Sequence, residues 1–163
     1  MQFSKSTDYA LHALIHLAQA ESHKNIGVRE LSTILSVSES YLSKIMAKMR
    51  KDGIVRAVPG VKGGYELAKS AENITFLEVI QAIEGRQQMF ECSNLNSKQH
   101  QLLAELNRTE RSTKTKTTDR GECLVKKVMD GAEQHLHQYL REHTIQSVLD
   151  QAIKHCGHST NKK

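Results

Sequence analysis

The chain has no tryptophan, a single proline, and only 4% aromatic residues among its 163. A Pro-rich disordered segment is therefore not expected. Nor is a β-sandwich, which needs many aromatic and β-branched strands bounded by turn residues. No run of about 18 apolar residues occurs, so no transmembrane helix is expected. The start, Met1-Gln2-Phe3-Ser4-Lys5, lacks the apolar core of a signal peptide, which points to the cytoplasm. Cysteine is sparse and odd in number: Cys92, Cys123 and Cys156. Such a set in a cytosolic chain is no disulfide framework, and leaves free thiols, metal ligands or a redox switch.

What is present is a mildly basic chain of ordinary polarity. It is 38% hydrophobic and 25% charged, with a net charge of +5. The length fits one compact domain with at most an appendage, and the charge suggests a polyanionic partner.

The hydrophobic period is helical almost throughout. Ala10, Leu14, Leu17 and Ala18 mark a first helix, with Ser6 or Thr7 as cap. The stretch His23 to Gly27 breaks the pattern. A second helix carries Leu31, Ile34 and Leu35, and Ser36-Val37-Ser38 is a short link. A third helix opens near Ser38, buries Leu42, Ile45, Met46 and Met49, and stops at Gly53 as a C-cap glycine would stop it. Ile54 to Val58 reads as a strand, Pro59 to Gly64 as a turn, and Tyr65 to Leu67 as the return strand. Thr75-Phe76-Leu77-Glu78 is a capping box opening a fourth helix, with Val79, Ile80 and Ile83 inward and Gly85 closing it. Beyond Cys92 the pattern weakens. Leu102, Leu103 and Leu106 suggest a short helix, and Asn107 to Asp119 a polar loop. A long helix then runs from about Glu122 to His143. Its Val125, Met129, Ala132, Leu136 and Tyr139 step by 4, 3, 4 and 3, the heptad seam that pairs one helix with another.

The predicted fold class is thus mainly α: a winged helix-turn-helix with a small β-hairpin wing and a long C-terminal dimerisation helix. The expected domains are 1–85 (DNA binding), 86–120 (linker and sensor loop), 121–150 (dimerisation helix and short C-terminal segment) and 151–163 (tail). In this architecture the second helix of the pair enters the major groove and the hairpin reaches neighbouring phosphates or the minor groove. Between Ser36 and Tyr65, Lys44, Lys48, Arg50, Lys51, Arg56 and Lys62 stand against Glu39 and Asp52, a balance of +4 out of +5. The predicted DNA-binding residues are Ser38, Glu39, Ser40, Tyr41, Ser43, Lys44, Lys48, Arg50, Pro59, Lys62, Gly63, Gly64 and Tyr65. Hydroxyls and carboxylates can read base edges, and cations can meet phosphates. The competing reading is a helical domain with a solvated basic face.

With these residues in view, the sequence resembles the Rrf2 family of bacterial transcription regulators, the group of IscR, NsrR and CymR. The resemblance runs through Asp8-Tyr9-Ala10-Leu11, Val28-Arg29-Glu30-Leu31, Ser40-Tyr41-Leu42, Gly53-Ile54-Val55, Gly63-Gly64-Tyr65 and Glu84-Gly85 into the Cys123 helix. It implies a homodimer bound to a near-palindromic operator in double-stranded DNA, with repression as the expected sign. The best-known cluster-binding relative reads bases from positions matching Ser40, Ser43 and Pro59. Only the serine at 40 is retained, which implies a different operator.

The resemblance also bears on the signal. Cluster-binding members carry three closely spaced cysteines before the long helix. Cys92 stands where their first does and Cys123 resembles their third. The middle one is missing, and a Lys at 126 stands near a position where one relative has a His ligand. No metal site is predicted, and an iron–sulfur cluster, with His100 or a partner-chain residue completing it, is disfavoured. A thiol switch through Cys92 and Cys123, a cluster, and two structural cysteines all stay open. His155-Cys156-Gly157-His158 has metal-ligand spacing but no fourth ligand. His135, His137 and His143 do not converge on one helix face.

No nucleophile motif, phosphate-cradling loop or carboxylate pair is apparent, so an enzyme is not expected. The Gly60 to Gly64 stretch opens no helix and so is no nucleotide loop. An interaction module docking a metabolic enzyme is the alternative class, and a partner enzyme or small-molecule effector is compatible with either.

Overall fold

The computed structural model describes residues 2–20, 25–60, 63–93 and 123–157, with 155–157 described by backbone alone. Lys62, the region of Leu102, Leu103 and Leu106, the loop from Asn107 to Asp119, His100 and His158 lie outside the described residues, as do the side chains of His155 and Cys156. The chain divides into two compact units, Met1–Arg86 with Tyr139–Lys163, and Gln87–Gln138.

The first unit holds α1 (Lys5–Gln19), α2 (Val28–Ile34), α3 (Glu39–Lys51), β1 (Val55–Val58), β2 (Gly64–Leu67), a 3₁₀ turn (Ala71–Asn73), α4 (Phe76–Glu84) and α6 (Ile145–Gly157). α5 (Leu124–Glu142) starts in the second unit and ends in the first. β1 and β2 form an antiparallel hairpin with Val55 opposite Leu67 and Val58 opposite Gly64. The predicted mainly α fold with a hairpin wing is the fold observed.

Ala10, Ala13, Leu14, Leu17, Leu42, Ile45, Met46 and Met49 form one continuous core with Leu31, Ile54, Val79 and Ile83. The expected stripes of α1, α3 and α4 are therefore the buried ones, except that Ala18 of α1 is half-buried at the edge of the core. α2 differs. Ile34, expected inward, is 45% exposed, and Ser32 is buried instead. The helix spans only two turns and faces the core with Leu31 and Ser32. The Ser32 hydroxyl donates to Arg29 O at 2.8 Å, which satisfies the buried group.

Helix ends explain most of the boundaries. Ser38 caps α3, its Oγ accepting from Tyr41 N at 3.3 Å. Gly53, at φ +70°, closes it: Gly53 N–H donates to Arg50 O and Ile54 N–H to Met49 O, the paired bonds of a Schellman motif. α1 starts earlier than expected. Its cap residue is Ser4, whose own side chain makes no capping bond. The acceptor there is Glu84, whose carboxylate takes the Ser4 N–H at 2.8 Å and the Thr7 hydroxyl at 2.5 Å. Thr75 Oγ1 accepts from Glu78 N, so half of the expected capping box forms. The Glu78 carboxylate turns instead to Lys69 Nζ, at 2.7 Å from both oxygens.

Residues 151–157, expected in a tail, continue α6. Thr144 and Ser147 cap that helix reciprocally, each backbone N–H donating to the other's side-chain oxygen at 3.1 Å. Serine in place of Glu or Gln hides this box from sequence inspection. Ile145 and Leu149, one turn apart, are buried. Ile145 N–H donates to Ile74 O and Phe76 N–H to His143 O. The cap residues of α4 and α6 thereby pair as an antiparallel bridge, and α6 packs on α1.

Candidate nucleic-acid interface

The α2–turn–α3 segment is built on a second Schellman motif. Ser36 N–H donates to Thr33 O and Val37 N–H to Ser32 O, at 3.2 and 3.0 Å. Ser36 takes φ +53°, the left-handed region where glycine is usual. The turn sends α3 away with its apolar side inward. Ser40, Lys44, Ala47, Arg50 and Lys51 stay exposed along its outer side. Lys44, Arg50 and Lys51 carry no ion pair among the described residues. Three cations on one exposed helix side suit a row of phosphates.

Two predicted contact residues, half-buried Tyr41 and exposed Lys48, also make contacts to other helices. The Tyr41 ring meets Tyr9 edge to face, centroids 5.9 Å apart, and its hydroxyl lies 2.8 Å from Ser6 Oγ. Tyr41 thus ties α3 to α1. Lys48 Nζ donates to Ile83 O at 2.9 Å and so caps the last turn of α4. Ser38 serves as the α3 cap, Ser43 is half-buried, and Glu39 is exposed. The Glu39 carboxylate faces Arg29 Nε at 3.9 Å. Arg29, whose side chain is 89% exposed, was not among the predicted residues. It lies on α2, ten positions before Glu39, and only the turn brings the two together.

The wing glycines have a packing role. A Cβ on Gly64 would lie 2.4 Å from Ile26 O, and one on Gly63 would lie 2.4 Å from Val58 O. Ile26 and Tyr65 exchange both backbone hydrogen bonds, at 2.8 and 3.0 Å. The hairpin is therefore fastened to the chain just before α2, and only glycine permits that approach. Pro59 is exposed at the hairpin end. Arg56 pairs with Glu66 directly across the strands at 2.6 Å, leaving less free charge on the wing than composition implied.

In the second unit, the segment before residue 94 is held to α5. Met89 N–H donates to Glu133 Oε2 at 3.2 Å, and Cys92 Sγ lies 3.5 Å from Cys123 Sγ. The two sensor candidates, 31 positions apart in sequence, are thus neighbours as free thiols. Cys123 is buried and Cys92 half-buried. Cys123 is also the residue before α5, and its Sγ accepts from Lys126 N at 3.4 Å. That bond, a bond from the Cys92 thiol, the Val125 amide and the Lys126 ammonium hold the Cys123 thiol below its ordinary range, against an opposing push from burial. Among the described residues no group of three or more His, Cys, Asp or Glu side chains gathers to hold a metal. The described residues thus bring two thiols together and do not complete a four-ligand set for a cluster.

α5 has 19 residues and none is buried. Leu124, Val125, Val128, Met129 and Tyr139 are 39–72% exposed, Ala132 is exposed and Leu136 is half-buried. Four of the five heptad residues are therefore exposed, and Leu136 is half-covered. No helix among the described residues is long and apolar enough to cross a membrane.

Known proteins resemble this chain in sequence and in fold. The chain is 34% identical over 94 residues to NsrR of Shouchella clausii, an HTH-type transcriptional regulator. That match takes in 58% of this chain and 63% of the relative, so the chain spans less than two thirds of that relative's length. The structure of CymR, the global cysteine regulator of B. subtilis, superposes with a TM-score of 0.63 at 20% identity, over 91% of this chain and 95% of that one. IscR of T. potens gives 0.64 at 22%, over 93% and 88%. The family model described as Rrf2, iron-dependent transcriptional regulator, matches residues 3–151. The chain belongs to the Rrf2 family of winged helix-turn-helix, DNA-binding transcription regulators.

Proposed function

We propose that the protein is a homodimeric repressor that binds a near-palindromic operator in double-stranded DNA and answers redox or thiol-reactive signals through Cys92 and Cys123. The observation that carries the DNA-binding reading is the outer side of α3, where Lys44, Arg50 and Lys51 stand exposed and unpaired among the described residues. α3 enters the major groove, Ser38, Glu39, Ser40 and Ser43 face base edges at its start, and Pro59 and Lys62 of the wing meet the flanking backbone. Tyr41, Lys48, Gly63, Gly64 and Tyr65 support that surface from behind. The largely exposed stripe Val125, Met129, Ala132, Leu136 and Tyr139 supports pairing with a second copy, which sets two recognition helices about one or more helical turns apart, roughly 34 Å each. Occupying the operator is the repressing event.

Titrating the protein against its own upstream DNA and random DNA at several salt concentrations tests this. Specific binding should exceed non-specific binding by about 10³ or more. Replacing Lys44, Arg50 and Lys51 by Ala should flatten the salt dependence by about one phosphate charge each. Equal affinity for both DNAs at moderate salt would overturn the reading.

The family description includes iron. Cys92 and Cys123 are the only thiols the described side chains offer, and with Cys123 already capping α5 they suit a dithiol pair better than a cluster. A sensor working through these two sulfurs is therefore the preferred form of the signal.

A further inference from the structure

The observations on the second unit go further than sensing in general. Three facts meet at one sulfur. Cys123 Sγ lies 3.5 Å from Cys92 Sγ. It accepts the Lys126 N–H, the capping bond of α5. It is 8% exposed, so only small reagents reach it. A sulfur in a capping position faces the positive end of the helix dipole, which favours its anion.

We propose that Cys123 is the thiol attacked by a small two-electron oxidant of the hydroperoxide class, that Cys92 resolves the product to an intrachain disulfide, and that the start of α5 is the element that responds. This rests on the reading of the two cysteines as the signal site. In the first step the Cys123 thiolate attacks the peroxide. An S–O bond forms, the O–O bond breaks, and the departing alkoxide or hydroxide takes a proton and leaves as alcohol or water. Sulfur loses two electrons and becomes a sulfenic acid. In the second step the Cys92 sulfur attacks Cys123 Sγ. The S–S bond forms, the S–O bond breaks, and the hydroxide leaves with the Cys92 proton as water. The sum is two thiols and a hydroperoxide giving a disulfide, an alcohol and water. A disulfide of about 2.05 Å requires the sulfurs to close by about 1.5 Å, within reach of side-chain rotation.

The consequence follows from the double role of the sulfur. In the disulfide Cys123 Sγ bears no charge and is a weak acceptor. The capping bond that Cys123 Sγ accepts from the Lys126 N–H weakens, and the first turn of α5 loosens. Leu124, Val125 and Val128, exposed apolar residues of the first turns, lie where the change acts.

The test uses the full chain with Cys156→Ser, so that two thiols remain. Reduced protein is treated with equimolar hydrogen peroxide and followed by intact mass and peptide mapping. The expected product is two hydrogens lighter and links the Cys92 and Cys123 peptides. Cys92→Ser should accumulate a sulfenic acid at Cys123, trapped by dimedone. Cys123→Ser, which keeps a good capping residue, should react at least about tenfold more slowly. Hydrogen exchange at the Val125 and Lys126 amides should accelerate on oxidation. An intermolecular product, or a Cys123→Ser variant reacting at the original rate, would overturn the assignment. Unchanged exchange in the disulfide form would overturn the response of α5. Operator binding is measured on the same reduced protein. Its absence, with the disulfide forming as described, defeats the repressor reading and leaves this chemistry standing. Binding without disulfide formation does the reverse.

Discussion

Among the described residues Ser36 is the non-glycine residue with a positive φ. A left-handed conformation costs an L-residue about 1–2 kcal/mol, and here the Schellman bonds of the α2 turn hold it in place. Ser36→Gly relieves that strain but adds about 0.5–1 kcal/mol of unfolded-state entropy, so it should be neutral to mildly stabilising in urea unfolding. Ser36→Val, β-branched at positive φ, should cost about 1–3 kcal/mol. Glu84 is a second residue with consequences out of proportion to its exposure. The Thr7 hydroxyl first, then the Ser4 groups and Lys48, hold its carboxyl below the usual range, against a smaller push from burial. The unfolded chain then binds the proton more readily than the folded one. The stabilisation is complete above the unfolded value, about 4.3, and is lost as pH falls through the lower folded value. Glu84→Gln should therefore be less stable than wild type at neutral pH, with the difference shrinking toward about pH 3 in paired unfolding curves.

Among the elements, the wing depends on one close approach. Gly64→Ala would force its Cβ against the Ile26 carbonyl, backbone on backbone, which no side-chain rotation relieves. The expected loss is about 1–3 kcal/mol, visible as a melting temperature lower by several degrees. The Gly63-Gly64-Tyr65 signature was legible in the sequence, but as a turn with DNA contacts. Its packing role was not, because Ile26 lies 38 positions away from Gly64. α3 was legible nearly to the residue, since the Ser38 cap, the Leu42 to Met49 stripe and Gly53 are local signals. Tyr41 and Lys48 were not, because their partners Tyr9, Ser6 and Ile83 come from other helices. The α6 helix was missed for a milder reason: a Thr144–Ser147 box lacks the acidic residue that sequence inspection looks for.

On the scale of the whole molecule, the proposed pairing of two copies rests on α5. A 19-residue helix with no buried residue gains little from packing against the described residues, and its exposed apolar residues suit a cover. Val128, 72% exposed, borders the heptad stripe. Val128→Glu should convert a dimer to a monomer in sedimentation at micromolar concentration, and weaken operator binding by more than tenfold, because one recognition helix then works alone. An unchanged sedimentation coefficient would count against pairing through α5. The sequence by itself determined the helix-turn-helix, the hairpin, the basic bias of the recognition element and the heptad stripe, because periodicity, caps and charge are local properties. Only the tertiary structure decided which cations of α3 stay free, that Glu84 caps α1, that α6 returns to α1, and that Cys92 lies against Cys123. Each of these is a contact between residues far apart in the chain, and its energy comes from shared burial or a closing hydrogen bond. Neither is written in the neighbours of either residue.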